Sequence, residues 1–231
     1  MGYALEVQNL SKNFGNINAI NNISFNINSG EIVGILGPNG SGKTTLMKII
    51  TGLVNNYEGK VLVYGNKIGI NTKKTTAYLP DSNFIPPSWS VWRCISYFAD
   101  FFDDFDKAKS ISLLKECNIS LDSTFKTLSK GTKEKLQLIL ILSRKAGLYI
   151  LDEPIAGVDP LSRDLIFKLI LENYNKDAPV VISTHLISNI ESILTSAVFI
   201  KYGEIVEFDS IANLKEKFEN KDLESIFKEL F

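Results

Sequence analysis

Arginine is scarce: Arg93, Arg144 and Arg163 are the only ones among 25 basic side chains, so few side-chain forks are on hand to clamp phosphate. Surplus charge is lacking too. The 25 basic groups meet 26 acidic ones for a formal net charge of −1, whereas nucleic-acid binders normally carry a basic excess that displaces counterions; no nucleic-acid partner is expected. Cysteine is limited to Cys94 and Cys117, which form no close pair and read as reduced cytosolic thiols rather than a disulfide. The most apolar run, Leu136 to Leu142, is broken by Gln137 and falls far short of the roughly 20 residues of a bilayer span. Met1 to Glu6 shows no basic stretch followed by an apolar one, so no secretory leader is expected. Repeats and low-complexity tracts are missing as well. What remains is a chain of 231 residues, 45% hydrophobic, enough for a real core in one large domain or a domain with an insertion.

Leu5-Glu6-Val7 and Ile23-Ser24-Phe25-Asn26-Ile27 alternate apolar and polar positions, the pattern of strands in a small antiparallel sheet. Ile32 to Leu36 is a continuous apolar run, as in a strand buried on both faces. A helical pattern runs from Thr44 to Gly52, and Val61 to Val63 and Thr75 to Leu79 read as further strands. From Pro86 to about Arg144 the texture is helical, with Tyr97, Phe98, Phe101, Phe102 and Phe105 at helical spacing. Strand texture returns at Leu148–Leu151, Val180–Ser183, Ala197–Ile200 and Ile205–Phe208, with helices expected at Leu161–Tyr174 and Ile187–Leu194. Such alternation predicts an α/β fold: a mostly parallel sheet covered by helices, into which 86–144 is inserted as a helical subdomain.

Gly37-Pro38-Asn39-Gly40-Ser41-Gly42-Lys43-Thr44 fits the phosphate-loop pattern G-x-x-x-x-G-K-[ST]. Glycines let backbone N–H groups turn inward around phosphates, and the following helix offers its positive end. Lys43 is expected to reach the terminal phosphates and the Thr44 hydroxyl to hold Mg²⁺. A plain glycine turn is the alternative, and the flanking strand and helix weigh against it. Alone, the loop indicates only nucleoside triphosphate binding. Asp152-Glu153 follows a buried strand, where open α/β sheets place ligands; an aspartate there usually holds Mg²⁺, and the glutamate is poised to polarise water. An acidic helix cap before Pro154 is the blander reading. The single histidine, His185, would be an ordinary residue in most contexts. At a strand end it can instead bond a γ-phosphate oxygen and hold water in line.

In their order along the chain these residues resemble the ATPase domain of ABC transporters, and the resemblance covers nearly all of it. Phe14 stands where an aromatic residue stacks on adenine. Gly37 to Thr45 resemble Walker A, Asp81 stands at the Q-loop glutamine, and Leu128-Ser129-Lys130-Gly131-Thr132 resembles the signature Leu-Ser-Gly-Gly-Gln. Leu148 to Glu153 resemble Walker B, Ala156-Gly157-Val158-Asp159 the D-loop, and His185 the switch histidine. The resemblance implies a P-loop NTPase fold in a single ABC ATPase domain spanning 1–231. Its parts would be an antiparallel β-subdomain at about 1–30 and 60–70, a RecA-like core at about 31–59, 71–85 and 145–210, the helical subdomain at about 86–144 and C-terminal helices at 211–231. It implies ATP and Mg²⁺ as cofactors. Phe14, Gly37, Pro38, Asn39, Gly40, Ser41, Gly42, Lys43, Thr44 and Thr45 would bind ATP; Lys43, Glu153 and His185 would be catalytic; Thr44, Asp81 and Asp152 would hold the metal. Ser129, Lys130, Gly131 and Thr132 would contact ATP across a head-to-tail dimer, with Asp159 in the D-loop. The implied partners are a second ATPase subunit, identical or not, and a separate transmembrane permease, with the chain cytoplasmic and peripheral on the inner membrane face.

Three positions depart from the family pattern: Asp81 for glutamine, Lys130 for glycine and Thr132 for glutamine. The length, the Leu-Ser-Lys-Gly signature and Tyr78-Leu79-Pro80-Asp81 followed by an aromatic helical region ending in Phe102-Asp103-Asp104-Phe105-Asp106 resemble small bacterial exporter subunits. Two rivals belong to other classes: a soluble ABC ATPase acting on ribosomes or DNA, and a regulatory module that cycles little. The aromatic stripe is expected either as the core of the helical subdomain or, with Trp89 and Trp92, as a groove for a permease helix; exposure separates the two. Leu223, Ile226, Phe227 and Leu230 predict an amphipathic helix that packs back on the domain, with no further regulatory domain expected beyond it.

Overall fold

A computed structural model of the chain describes residues 2–156 and 158–231. β1 (Leu5–Phe14) and β2 (Ile17–Ile27) form an antiparallel hairpin longer than the alternation predicts. Its bulges leave backbone N–H groups that serine hydroxyls across the ladder accept, Asn9 N to Ser24 Oγ at 2.8 Å and Asn22 N to Ser11 Oγ at 2.9 Å. β4 (Glu58–Val63) pairs antiparallel with β1, and β5 (Asn66–Lys67) completes the order β2-β1-β4-β5.

Among the described residues the second sheet has the order β10-β9-β3-β8-β7-β6. β3 (Ile32–Leu36), β6 (Thr76–Leu79), β7 (Leu148–Asp152), β8 (Val180–Thr184) and β9 (Ser196–Lys201) run parallel, and β10 (Glu204–Ser210) is an antiparallel edge. Successive residues go to opposite faces. Leu36, Tyr149, Leu151, Ile182 and Phe199 enter the core beneath the helices. Val33, Ile35, Ile150, Val181 and Ile200 enter a second core shared with the N-terminal sheet. Burial on both faces is why these strands read as unbroken apolar runs.

α1 (Lys43–Ile50) follows β3. The inserted region holds α3 (Val91–Phe101), α4 (Lys107–Glu116) and α5 (Lys130–Leu142), started by Ser90, Asp106 and Ser129, whose side chains accept from backbone N–H groups three residues on. α6 (Pro160–Asn173) covers the sheet, and α7 (Ile211–Lys217) and α8 (Leu223–Leu230) pack back on it through buried Leu214, Leu223 and Ile226. No helix of the described residues is long and apolar enough to cross a membrane. Cys94 and Cys117 are free thiols, as expected.

Two local expectations change. The segment 187–194 is not an α-helix but two 3₁₀ turns, Ile187–Asn189 and Glu191–Ile193. Its isoleucines Ile187, Ile190 and Ile193 are buried at every third position, which suits three residues per turn, and Leu194 is buried just past the second turn. The Glu191 carboxylate fixes the bend by accepting from Leu223 N at 3.0 Å and pairing with Lys215 at 2.7 Å. A short helix absent from the sequence reading, α2 (Ile70–Thr75), precedes β6; the Thr72 hydroxyl holds its start, accepting from Gly69 N at 2.9 Å.

One of the scarce arginines ties the insertion to the sheet. Arg144 is 3% exposed. Its fork donates to both Asp104 oxygens at 2.8 and 3.0 Å, to Thr76 O at 2.8 Å and to Lys74 O, beneath the Phe102 ring at 3.9 Å. Removing one member of a buried pair strands the others. Arg144→Ala is expected to lower unfolding free energy by roughly 3 kcal/mol, and Arg144→Lys to recover little of it, since an ammonium lacks the planar fork. A denaturant midpoint unchanged in both would show that the staple does not stabilise the fold.

Candidate functional site

β3, β7 and β8 end at one level: Leu36 pairs with Thr184 and Asp152 with Ser183. Whatever follows each strand therefore meets at one edge. After β3 comes the glycine loop. Gly42, at φ +111°, starts α1, and a Cβ there would lie 2.5 Å from Ala19 O, so only glycine fits. Lys43 is 5% exposed and folds over the loop, donating to Gly37 O at 2.8 Å and Pro38 O at 3.0 Å. Burial pushes its pKa down, and the Glu153 and Asp152 charges pull it partly back. The buried Ser41 hydroxyl has no partner.

Asp152 ends β7 fully buried. One oxygen, Oδ1, accepts from the Ser183 hydroxyl and lies 3.3 Å from the Thr44 hydroxyl; the other, Oδ2, is buried with no partner. Burial raises its pKa, and the Asp81 and Glu153 charges add to the rise while the Ser183 and Thr44 bonds oppose it. A desolvated carboxylate with a spare oxygen beside a hydroxyl fits a hard cation. Among the described residues no group of three or more His, Cys, Asp or Glu could hold a metal by itself. A cation here would need phosphate oxygens and water, as Mg²⁺ does.

Glu153 takes the left-handed conformation, φ +50°, which costs a non-glycine residue about 1 kcal/mol or more. Its N–H donates to Ser183 O and Oγ, both at 3.1 Å. The turn brings its carboxylate to 3.8 Å from Lys43 Nζ and puts both oxygens 3.0 Å from His185 Nδ1. An ionised carboxylate only accepts, so Nδ1 carries a proton toward it.

A cleft of about 380 Å³ joins Phe14, Asn39, Gly40, Gly42, Lys43, Thr44 and Thr45 with Asp81 and Glu153. A neighbouring cavity of about 610 Å³ also contains Asp81 and Glu153 and adds Asp152, Lys130, Glu134 and Gln137. Phe14 is 47% exposed, with the buried Lys12 ammonium 4.6 Å from its ring centroid. Ser129 caps α5, accepting from Thr132 N at 3.3 Å and pairing with the Thr132 hydroxyl at 2.8 Å. Ser129, Gly131 and Thr132 line neither cavity, and the first turn of α5 carries no acidic residue. Asp159 is exposed ahead of α6, its carbonyl accepting from Arg163 N at 3.1 Å; Gly157 lies outside the described residues.

Sequence reasoning missed Ser183, Tyr78 and Gln137. Tyr78 has a buried hydroxyl without a partner, its pKa pushed up by burial and by the Asp152 and Asp81 charges. A polar residue inside an apolar strand or helix run was the signal available for each.

A parallel-strand edge with a glycine loop, a lysine and an acidic strand end defines a P-loop nucleoside triphosphatase. The family model of ABC transporters matches residues 20–156, and the chain belongs to that family. It is 33% identical to an uncharacterized ABC transporter ATP-binding protein of Methanocaldococcus jannaschii, over 92% of this chain and 80% of that one. It is 30% identical to the lipopolysaccharide export system ATP-binding protein LptB of Haemophilus influenzae, over 87% and 88%. It is 31% identical to the SkfA peptide export ATP-binding protein SkfE of Bacillus subtilis, over 88% and 87%. A solved ATP-binding subunit of an ABC transporter superposes with TM-score 0.88 at 26% identity, covering 98% of this chain and 99% of that one. The chain is thus an ATP-binding, ATP-hydrolysing transporter subunit.

Asp152→Asn keeps an oxygen for the Ser183 and Thr44 hydroxyls and removes the buried charge. In EDTA at neutral pH the variant is expected to be more stable than the wild type by about 1 kcal/mol. Mg²⁺ with ATP should then raise the melting temperature of the wild type more than that of the variant. A variant that melts lower in EDTA would contradict a charge strained by burial.

Proposed function

We propose that Glu153 is the general base of ATP hydrolysis and that His185 and Lys43 complete the reacting group. The observation that carries this reading is the Glu153 carboxylate, turned by its left-handed backbone to lie between Lys43 Nζ at 3.8 Å and His185 Nδ1 at 3.0 Å. Phe14 stacks on the adenine, and the N–H groups from Asn39 to Thr45, with the hydroxyl of Ser41, surround the phosphates beside Gly37 and Pro38. Lys43 exchanges its loop carbonyls for terminal phosphate oxygens. Glu153 takes the proton of the attacking water, and His185 offers a ring nitrogen to hold the γ-phosphate and that water in line. Thr44, Asp152 and Asp81 hold Mg²⁺, which supplies charge neutralisation to the β- and γ-phosphates.

Two copies pack head to tail, so that Ser129, Lys130, Gly131 and Thr132 of each face the nucleotide of the other, with Asp159 in the loop between. Support for this comes from the exposed cap at Ser129 and from the acid-free first turn of α5, whose positive end Lys130 reinforces. A permease helix docks on the helical subdomain. Trp92, Tyr97 and Phe101 are 44%, 47% and 66% exposed, while Phe98 is buried at 7%. The aromatic stripe thus divides between core and surface, beside a groove of about 520 Å³ lined by Ile70, Phe101 and Phe102. The chain acts on the cytoplasmic membrane face as part of an exporter. The export functions named for the Haemophilus influenzae and Bacillus subtilis relatives support that direction.

Glu153→Gln is expected to lower the steady-state ATPase rate by about 10²-fold or more while ATP still binds. Hydrolysis at the wild-type rate would remove the general-base role. Asp81→Ala should shift the Mg²⁺ titration to higher concentration, and an unmoved titration would take Asp81 out of the metal site. A pull-down of the tagged chain from detergent-solubilised membranes should recover a multi-span protein. Recovery with ribosomal or other cytosolic companions only would point to a non-transport ATPase.

A further inference from the structure

Gln137 interrupts the most apolar stretch of the chain and is 4% exposed, between Leu136 and Leu138 at 0% and 1%. A buried amide is costly unless both ends are bonded, and here they are. Oε1 accepts from Phe84 N at 3.0 Å, and Nε2 donates to Asn83 Oδ1 at 2.9 Å. The backbone N–H can only donate, so the orientation of the amide is fixed. Asn83 and Phe84 lie two and three residues past Asp81. Gln137 lies seven residues past Lys130 on α5, almost the same helix face two turns on. Lys130, Gln137, Asn83 and Asp81 line one cavity with Asp152 and Glu153. A leucine would suit the apolar run; the glutamine instead bonds two elements whose contact spans 53 and 54 positions of sequence.

We propose that Gln137 is a positioning residue, locking the loop after Asp81 to the helix that carries the signature, so that the two move as one body. The proposal rests on the function argued above. Asp81 belongs to the nucleotide site of its own subunit, and the start of α5 to that of the partner subunit. A rigid tie between them makes the metal environment of one site and the phosphate contact at the other change together, and neither Ser129 nor Asp81 needs to touch Gln137.

The test uses the purified full chain. ATPase rates are measured against Mg²⁺ and ATP, ATP-driven dimerisation is followed by light scattering in the Glu153→Gln background, and ADP binding serves as control. For Gln137→Leu, losing both part-buried bonds should raise the Mg²⁺ half-saturation point and weaken dimerisation about tenfold, with ADP affinity kept. Asn83→Ala alters only an exposed loop residue and should act in the same direction but less. Asn83→Asp keeps an acceptor for Nε2 and should dimerise better than Asn83→Ala, its added carboxylate in the cavity being left out of the Mg²⁺ comparison. A wild-type Mg²⁺ titration and dimerisation in Gln137→Leu would overturn the proposal. So would an Asn83→Asp variant that dimerises as poorly as Asn83→Ala, or a Gln137→Leu variant whose ADP affinity falls with its melting temperature. A wild-type chain that hydrolyses no ATP would overturn the underlying function and the proposal together; an active wild type with an unaffected Gln137→Leu would overturn the proposal alone.

Discussion

The parallel register of β3, β7 and β8 is the constraint on which the rest depends. Their side chains are buried on both faces, so a slip of one residue would exchange the two cores and expose neither. What a slip would destroy is the common finishing line that pairs Leu36 with Thr184 and Asp152 with Ser183. Only with that line held do the glycine loop, the acidic pair and the histidine emerge side by side. Ser183 shows the dependence most directly: its hydroxyl bonds Asp152, while its carbonyl and hydroxyl together hold the Glu153 N–H. The strained turn at Glu153 is thus fixed by the neighbouring strand, not by its own sequence.

Around this edge the fold settles polar costs in pairs. Arg144 meets Asp104 and two carbonyls of the segment leading into β6, so the helical insertion is fastened to the sheet at the far end of α5. Lys109 lies buried enough for its pKa to fall, and it donates to Leu142 O at 2.7 Å and to Asn173 O. A cation at the C-termini of α5 and α6 satisfies carbonyls that have no partner within either helix. Among the described residues, the N-terminal end of α5 has the Ser129 cap and no comparable buried cation. That asymmetry leaves one end of the helix fixed to the domain and, in the proposed dimer, the other facing the nucleotide of the second copy.

How much of this was legible depended on the range of the interaction. Strands buried on both faces announce themselves as apolar runs, and the glycine loop, Asp152-Glu153 and His185 stand at their ends in plain sequence. The α-helix expected at 187–194 failed because burial at every third residue is too close to helical spacing to separate from it over eight positions. α2 escaped because a six-residue helix held by one threonine hydroxyl has no apolar period. Ser183, Gln137 and Arg144 were opaque for a different reason: their partners lie 31, 53 and 68 positions away, and no local pattern encodes such pairings. Each was visible only as a polar residue where an apolar one would have packed as well.

The charge balance at the edge bears on how a triphosphate is admitted. Asp81, Asp152 and Glu153 lie around the loop, and Asp152 has one oxygen paired and the other without a partner. With Glu134 they make four acids, against Lys43, already held by two carbonyls and near Glu153, and Lys130 and Lys133 of the neighbouring cavity. A bare triphosphate would add anionic charge to a site with a surplus of it, in surroundings that screen poorly. In the proposed mechanism phosphate and divalent cation arrive as a neutralising pair, so that a chain with three arginines can still take a nucleotide. In the proposed dimer further positive charge comes from the open end of α5 in the other subunit. Closure then depends on phosphate charge that the subunit's own groups leave uncompensated, and loss of the γ-phosphate removes the attraction that held the two copies together.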